Sequence, residues 1–283
     1  KKIENPRLNA EQLMSKALQL DRVHLYVSFE RPLTESEINV YRSMVKRRVN
    51  HEPLQYITGM TEFMGLPIKV NPDVLIPRPE TETVVEQILA YQKQNKLINI
   101  LDIGTGSGCI AISLAKDQRR CKILGIDKSG RALKTAAENC QINNIPLHYE
   151  ENDQDKPAHL TEGITLFKHD IMQPWPSSVV NKFDIIVSNP PYITQEEIGN
   201  LQPEVKDFEP LEALTDYSDG LAFYRRIFDL TTGNCELISR MLFLEMSGSQ
   251  PEKIIALSRR YHFKNIEIIP DLNKISRVLK IEV

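Results

Sequence analysis

One stretch of the chain decides its predicted fold: LDIGTGSG, at residues 101–108. It follows an apolar run from Ile98 to Ile103 and leads into an apolar helical pattern from Cys109 to Lys116. Glycines at such a corner let the backbone approach a ligand closely, and the start of the helix offers backbone N–H groups without helical partners. Many strand-to-helix corners need glycine only for packing, so the turn is weak evidence by itself.

The chain on both sides of this turn alternates between strand and helix patterns. The predicted strands are Ile98–Ile103, Lys122–Ile126, Ile164–Phe167, Phe183–Val187, Met241–Glu245, Ile266–Ile269 and Ser276–Ile281, and the predicted helices are Cys109–Lys116, Arg131–Cys140, Leu221–Leu230 and Pro251–Arg260. This alternation predicts a mostly parallel sheet covered by helices on both faces, a doubly wound α/β domain. A polar stretch from Glu150 to Glu162 interrupts the pattern and is interpreted as a surface loop.

The region before the α/β pattern divides in two. Residues 1–52 are predicted to form a small helical domain, in which Thr34 and Glu37 have the spacing of a capping box. Residues 53–77 contain several prolines and glycines between the short runs Leu54–Ile57 and Leu66–Val70, which predicts a hairpin-like linker. Residues 78–283 then form the α/β domain.

Composition excludes several classes of protein. The 283 residues are 41% hydrophobic and 26% charged, which is ordinary for a soluble globular chain. The net charge of −3 gives no global attraction to a nucleic-acid backbone. Four cysteines without a Cys-x-x-Cys pair argue against a zinc site or a disulfide framework and favour the cytoplasm. No apolar run reaches the roughly 18 residues of a membrane span, and no signal-peptide pattern opens the chain.

Two acidic residues favour a nucleoside cofactor beside the glycine-rich turn. Asp127 ends the next strand, about 20 residues on, where a carboxylate can accept both ribose hydroxyls. Asp170 follows the third core strand, near the expected position of an adenine, although a plain loop aspartate is an equal interpretation. The turn reads G-x-G-x-G rather than G-x-G-x-x-G, and this spacing favours S-adenosylmethionine over a dinucleotide.

A second corner, SNPPY at residues 188–192, follows the apolar run from Phe183 to Val187. Neither proline can donate to a strand ladder, so the strand ends in a stiff, non-helical corner. The Asn189 amide beside the aromatic ring of Tyr192 would then be able to hold a planar polar group. An ordinary strand-to-loop turn is the alternative interpretation.

The combination of several strings is more specific than either corner. These strings are NPRLNAEQL (residues 5–13), RRVNHEPLQYITG (47–59), VLIPRPETE (74–82), SNPPYI (188–193), FEPLEAL (208–214) and DGLAFYR (219–225). Together they resemble the HemK/PrmC family, the release factor glutamine methyltransferases, over nearly the whole chain.

The resemblance implies a class I S-adenosylmethionine-dependent methyltransferase, with a Rossmann-like seven-stranded sheet whose last strand is antiparallel and a helical N-terminal domain that recognises the substrate. It implies that S-adenosylmethionine becomes S-adenosylhomocysteine, without a metal, and that release factors are the protein substrate of a cytoplasmic monomer. The cofactor-binding residues implied are Gly104, Thr105, Gly106, Ser107, Gly108, Asp127, Asp170 and Asn189. Those implied to hold the glutamine of a Gly-Gly-Gln motif are Asn189, Pro190, Pro191 and Tyr192, of which Asn189, Pro190 and Tyr192 are catalytic.

Other functions stay open at this point. An adenine-specific nucleic-acid methyltransferase would use the same corner on a flipped base, and the basic cluster Lys46–Arg48 is its support. A non-catalytic scaffold that retains the fold is a second alternative, and a nicotinamide-dependent dehydrogenase is a third. Neither membrane nor direct nucleic-acid binding is expected.

Overall fold

The structure is a computed structural model that describes residues 3–91, 97–117, 121–149, 160–232, 236–263 and 265–283. Residues 150–159 of the predicted surface loop, together with Cys235, lie outside these ranges. The helices are α1 (Pro6–Leu18), α2 (Arg22–Val27), α3 (Glu35–Val49), α4 (Leu54–Thr58), α5 (Pro79–Tyr91), α6 (Cys109–Lys116), α7 (Gly130–Ile142), α8 (Pro203–Lys206), α9 (Ala222–Thr232) and α10 (Pro251–Arg260). The strands are β1 (Met60–Phe63), β2 (Leu66–Lys69), β3 (Ile98–Ile103), β4 (Cys121–Asp127), β5 (Leu147–His148), β6 (Gly163–Lys168), β7 (Ile185–Ser188), β8 (Met241–Glu245), β9 (Asn265–Pro270) and β10 (Ser276–Glu282).

The first helices pack on one another, with α1 in contact with α2, α3 and α4. The predicted capping box at the start of α3 is present. The Thr34 hydroxyl accepts from the Glu37 N–H at 3.3 Å, and the Glu37 carboxylate accepts from the Thr34 N–H at 2.9 Å. These two bonds satisfy backbone donors that the first turn of a helix leaves free, so the sequence defines where α3 begins.

The linker contains a helix as well as the predicted hairpin. Strands β1 and β2 pair antiparallel, as the second apolar run predicts. The first run is α4 instead, because Pro53 stands at its N-cap and Gly59 ends it in the left-handed region, with φ of 78°. The Tyr56 hydroxyl donates to the Val74 carbonyl at 2.6 Å, which joins this short helix to the end of the linker.

The main sheet has the order β5-β6-β4-β3-β7-β8-β10-β9. Its neighbouring strands pair parallel except for β10, which is antiparallel to both β8 and β9. The seven strands of the expected class are therefore present, with the last one antiparallel. Within the described residues the sheet has eight strands, because β5 extends its edge. This strand has two residues, too few to show a period in the sequence.

Two apolar layers lie on opposite faces of this sheet. Ile100 of β3 belongs to the layer with the hairpin and helices α5, α6 and α7, and its neighbour Leu101 belongs to the layer with α9 and α10. Successive side chains of a strand point to opposite faces, so a strand buried on both sides reads as a continuous apolar run. The doubly wound α/β prediction is confirmed.

Some features are absent from the part of the chain that the structure describes. No group of three or more His, Cys, Asp or Glu side chains within these ranges is arranged to hold a metal ion. None of the helices in the same ranges combines the length and apolar character needed to cross a membrane.

Asn139 of α7 joins the hairpin to the glycine-rich turn. Its side-chain oxygen accepts from the Lys69 N–H at 2.6 Å, and its Nδ2 donates to the Lys69 carbonyl and to the Ser107 carbonyl, both at 2.9 Å. The side chain is fully buried. The Asn139 side-chain amide thus takes the place of a neighbouring strand for β2 and holds the backbone of the glycine-rich turn.

We expect Asn139→Ala to leave these three backbone groups without partners. Because an unpaired buried polar group costs about 1–3 kcal/mol, the free energy of unfolding should fall by at least about 2 kcal/mol. Urea unfolding followed by circular dichroism measures this loss. Gln141→Ala, at an exposed position of the same helix, is the matched control and should change the stability little; an equal loss in both variants would contradict the bridging role.

Candidate active site

Strands β3 and β7 bring the two sequence corners together. They pair parallel with Ile103 opposite Ser188, and the Ser188 hydroxyl donates to the Ile103 carbonyl at 2.7 Å. The glycine-rich turn follows β3 and the SNPPY corner follows β7, so both begin at the same edge of the sheet. From β3 the chain first builds strands on one side and then crosses to β7 on the other, and ligands of open α/β sheets bind at such a point.

A cavity of about 470 Å³ lies between the two corners, a size typical of small-molecule sites. The predicted residues that line it are Gly104, Thr105, Gly106, Ser107, Asp127, Asp170, Asn189, Pro190 and Pro191. Gly108 and Tyr192 are not among the lining residues. The structure thus gathers nine of the eleven predicted site residues around one space.

The first two glycines of the turn are required by backbone conformation. Gly104 and Gly106 have φ of 71° and 56°, and a Cβ atom on Gly104 would meet nothing within 4 Å. Strain rather than crowding therefore excludes other residues here. Gly108 shares this constraint, with φ of 79°, and has a packing role in addition, because a Cβ atom there would lie 3.1 Å from the Ala136 Cβ and 3.2 Å from the Ile112 Cδ1. This glycine lets α6 approach α7 and does not line the cavity.

Asp127 joins the end of β4 to the turn. Its Oδ2 accepts from the Gly106 N–H at 3.0 Å, and its Oδ1 accepts from the Ser129 N–H at 2.8 Å. Burial raises the pKa of this carboxyl, and the two backbone hydrogen bonds act in the opposite direction. A carboxylate that is fixed in this way and faces a cavity is suited to accept from a pair of hydroxyl groups.

Asp102 of β3 holds the glycine-rich turn through a hydrogen bond with Thr105. It is buried and its Oδ2 accepts from the Thr105 hydroxyl at 2.7 Å, which orients a residue that lines the cavity. Burial raises the pKa of Asp102 to about 7. Sequence reasoning assigned this residue no role, although a carboxylate within an otherwise apolar strand is a recognisable signal.

The SNPPY corner presents two acceptors. The Asn189 Nδ2 donates to the hydroxyl of Thr81, a buried residue of α5 that lines the same cavity, at 3.2 Å. Within the described ranges, no hydrogen bond reaches the Asn189 Oδ1 or the Pro190 carbonyl. Both oxygens are therefore available to a ligand with N–H groups.

Tyr192 does not line this cavity. Its hydroxyl donates to the Oε1 of Glu245 at 3.2 Å, and burial raises the pKa of the phenol well above its usual value. Glu245 is the last residue of β8 and is itself buried, and sequence reasoning gave it no role in the site. The Tyr192 hydroxyl is bonded to Glu245. The role of Tyr192 in holding a substrate amide therefore stays a prediction.

Comparison with known proteins identifies the family. Residues 1–59 match the PrmC N-terminal domain, and residues 85–202 match the methyltransferase small domain. The release factor glutamine methyltransferase of Geobacter sulfurreducens is 39% identical over 284 residues, covering 99% of this chain and 90% of that protein. That of Thermodesulfovibrio yellowstonii is 38% identical over 276 residues, covering 95% and 90%. The chain belongs to the release factor glutamine methyltransferases. The predicted resemblance to this family is confirmed. The prediction that the chain is an S-adenosylmethionine-dependent protein-glutamine methyltransferase is confirmed with it.

Solved structures support the fold. The N-terminal domain of human METTL16, in complex with SAH, aligns with a TM-score of 0.51 at 18% identity, covering 77% of this chain and 76% of that one. A methyltransferase from Pyrococcus furiosus aligns with a TM-score of 0.51 at 16% identity, covering 85% and 98%. The class I methyltransferase fold is thereby confirmed. The prediction of S-adenosylmethionine as the cofactor is confirmed by the family to which the chain belongs. The glycine backbone and Asp127 around one cavity fit a nucleoside cofactor.

We expect Asp127→Ala to weaken S-adenosylmethionine binding at least about tenfold, since hydrogen bonds to a charged group contribute about 1.5–3 kcal/mol and the turn also loses its anchor. Titration calorimetry with the cofactor measures this change. Asp207→Ala, at an exposed position outside the cavity lining, is the control. Binding of unchanged affinity in Asp127→Ala would contradict the assignment of this carboxylate.

Proposed function

We propose that this chain methylates the side-chain amide nitrogen of the glutamine in the Gly-Gly-Gln motif of peptide-chain release factors, and so modulates translation termination. The observation that carries the proposal is the pair of available acceptors, Asn189 Oδ1 and the Pro190 carbonyl, at the edge of the cavity beside the cofactor turn. A primary amide has two N–H donors to match them. The relatives' own name, release factor glutamine methyltransferase, supports the same substrate.

The chemical difficulty lies in the amide nitrogen, whose lone pair is delocalised into its carbonyl. Two acceptors that take both N–H groups fix the direction in which the nitrogen faces. They also stabilise the positive charge that develops on this nitrogen as it forms a new bond, because oxygen dipoles fixed in advance need no reorganisation. No strong base is required, since the N–H becomes acidic as the bond forms.

Bound S-adenosylmethionine supplies a methyl group on a positively charged sulfur. The chain's contribution is to hold its two ligands in a fixed relation, with Asp127 and the glycine-rich turn on one side and Asn189 with its two prolines on the other. Orientation of this kind can supply about 7 kcal/mol at the low end of measured effective molarities. Pro190 and Pro191 keep the corner rigid without donating to the strand.

We also propose that residues 1–52 form the domain that recognises the release factor, that residues 53–77 are its linker and that residues 78–283 form the catalytic domain, in a cytoplasmic monomer. The N-terminal region is well placed for this role, because Arg48 of α3 pairs with Glu204 at 2.7 Å in the segment that follows the corner. The thiols of Cys109, Cys121 and Cys140 are free, as in proteins of a reducing compartment.

The decisive experiment incubates the protein with isotopically labelled S-adenosylmethionine and a purified release factor, and then maps the methyl group by mass spectrometry. We expect the label on the glutamine of Gly-Gly-Gln. A release factor in which this glutamine is replaced by alanine is the matched control and should remain unlabelled. Label on another residue, or on an adenine-containing oligonucleotide in place of the release factor, would overturn the proposal.

Asn189→Ala should lower the turnover of the release factor by about 100-fold or more, the range seen when one preorganised hydrogen-bonding group is removed from an active site. The affinity for S-adenosylmethionine should stay within about twofold, since the glycine-rich turn and Asp127 are unchanged. Steady-state kinetics and calorimetry test the two halves of this prediction. Asn181→Ala, at an exposed position outside the cavity lining, is the control; unchanged turnover in Asn189→Ala would contradict the assigned role.

A further inference from the structure

The chain that follows the SNPPY corner folds back against it. We call residues 214–222 the supporting loop. The Ile193 N–H donates to the Leu214 carbonyl at 2.9 Å. The Gln195 N–H donates to the Ser218 carbonyl at 3.0 Å. The supporting loop therefore runs beside the chain as it leaves the corner, and the proposed chemistry gives this loop no role.

Gly220 brings the supporting loop into contact with the corner itself. This glycine is buried and has φ of 75°. A Cβ atom built on it would lie under 3.0 Å from the Tyr192 carbonyl oxygen, a separation that real Cβ atoms essentially never show, and 3.1 Å from the carbonyl carbon. The Tyr192 backbone therefore packs directly against the Gly220 backbone, and any side chain at this position would have to displace one of the two.

One carboxylate holds the supporting loop in its shape. The Asp216 Oδ1 accepts from the Ser218 N–H at 2.8 Å and from the Gly220 N–H at 3.0 Å. Its Oδ2 accepts from the Ala222 N–H at 2.9 Å. Ala222 begins α9, so this third bond satisfies a backbone donor that the first turn of the helix leaves free. Gly220 is thereby fixed relative to α9, which packs in the apolar layer on one face of the main sheet.

The backbone of the corner has few torsions with which to absorb a displacement. The rings of Pro190 and Pro191 fix the φ angles of both residues. Gly220 contacts the Tyr192 carbonyl, and the Pro190 carbonyl lies only two residues before it. A shift at Tyr192 is therefore transmitted toward the Pro190 carbonyl and Asn189. Since a misplacement of about 1 Å can lower an enzymatic rate about 100-fold, the position of this backbone matters to the reaction.

We propose that Gly220 and Asp216 are positioning residues for the methyl transfer. Gly220 supports the Tyr192 backbone, and Asp216 holds Gly220 in place. Neither residue lines the cavity, so both act through the SNPPY corner, by keeping its two acceptors where they meet the substrate amide. This proposal rests on the proposed function, in which Asn189 and the Pro190 carbonyl bind the glutamine.

The first test compares two glycines that share a left-handed backbone and differ in their surroundings. Gly65, between β1 and β2, has φ of 71°, and a Cβ atom there would meet nothing within 4 Å. Gly65→Ala and Gly220→Ala therefore carry similar backbone strain, and Gly220→Ala adds the collision with the Tyr192 carbonyl.

We expect Gly220→Ala to lower kcat for a release factor at least about tenfold while the cofactor Kd stays within about threefold, and Gly65→Ala to leave both within about twofold of the parent. Steady-state kinetics and titration calorimetry measure the two quantities. An unchanged kcat in Gly220→Ala, an equal loss of kcat in Gly65→Ala, or a loss of cofactor affinity as large as the loss of kcat would overturn the proposal.

The second test changes the supporting loop without adding an atom at its contact with the corner. Asp216→Asn keeps the shape of the side chain but replaces one acceptor oxygen with an NH₂ group, which then faces a backbone N–H. We expect kcat to fall at least about threefold at an unchanged cofactor Kd. Asp207→Asn, at an exposed position outside the cavity lining, is the matched control and should keep the kcat of the parent. An unchanged kcat in Asp216→Asn would overturn the role assigned to Asp216.

The two proposals fail in distinguishable ways. A parent protein that leaves the Gly-Gly-Gln glutamine unlabelled contradicts the proposed function. NMR with ¹⁵N labelling tests the positioning role without any substrate. In Gly220→Ala the side-chain NH₂ resonances of Asn189 and the Ile193 N–H should shift from their positions in the parent, whereas the Gly106 N–H of the cofactor turn should not. Unshifted Asn189 resonances in this variant, with thermal melting to verify that it is folded, would overturn the positioning role alone.

Discussion

The register between β3 and β7 is the constraint on which the rest of the site depends. With Ile103 opposite Ser188, both strands end together, and the chain leaves them in two different directions. The hydroxyl of Ser188 holds the Ile103 carbonyl, so the last paired residues are also joined through a side chain. Because side chains alternate along a strand, a shift of one residue would turn Ser188 to the other face and separate the turn from the corner. The cavity between the turn and the corner therefore depends on this register.

Two buried carboxyls close to the site affect the stability of the fold. Asp102 accepts from the Thr105 hydroxyl of the cofactor turn, Glu245 accepts from the Tyr192 hydroxyl of the corner, and burial raises the pKa of each carboxyl to about 7. A carboxyl whose pKa is higher in the folded chain than in the unfolded chain binds more protons when folded between roughly pH 4 and 7. Each group therefore lowers the stability of the fold as the pH rises through that range. In each case a carboxylate oxygen accepts from one hydroxyl, and this bond fixes the direction in which the hydroxyl points.

Local sequence patterns predict the bounds of many helices and strands without knowledge of tertiary contacts. Helix α10 begins at Pro251, and strand β8 is apolar from Met241 to Leu244, so their bounds could be read directly from the sequence. The contacts of Thr81 with Asn189 and of Glu245 with Tyr192 could not, because they join residues that are 108 and 53 positions apart in the chain. Gly108 and Tyr192 illustrate the opposite case. Each adjoins true lining residues in the sequence, yet the structure turns Gly108 to helix packing and the Tyr192 hydroxyl to Glu245.

Ion pairs connect the N-terminal helices and the linker region to the segment that follows the SNPPY corner. The segment after the corner contains short helical turns, and two ion pairs hold it. Arg48 of α3 binds Glu204, and Arg78, directly after the linker, binds Glu209. Glu209 is buried and also accepts from the Ile76 N–H at 3.1 Å, so removing Arg78 would leave an uncompensated buried charge. This segment begins where the SNPPY corner ends. A protein that binds the N-terminal helices would therefore contact a part of the chain that an ion pair joins to the segment beside the active site. On the proposal that these helices recognise the release factor, the fold of one chain sets the distance between their surface and the reacting amide.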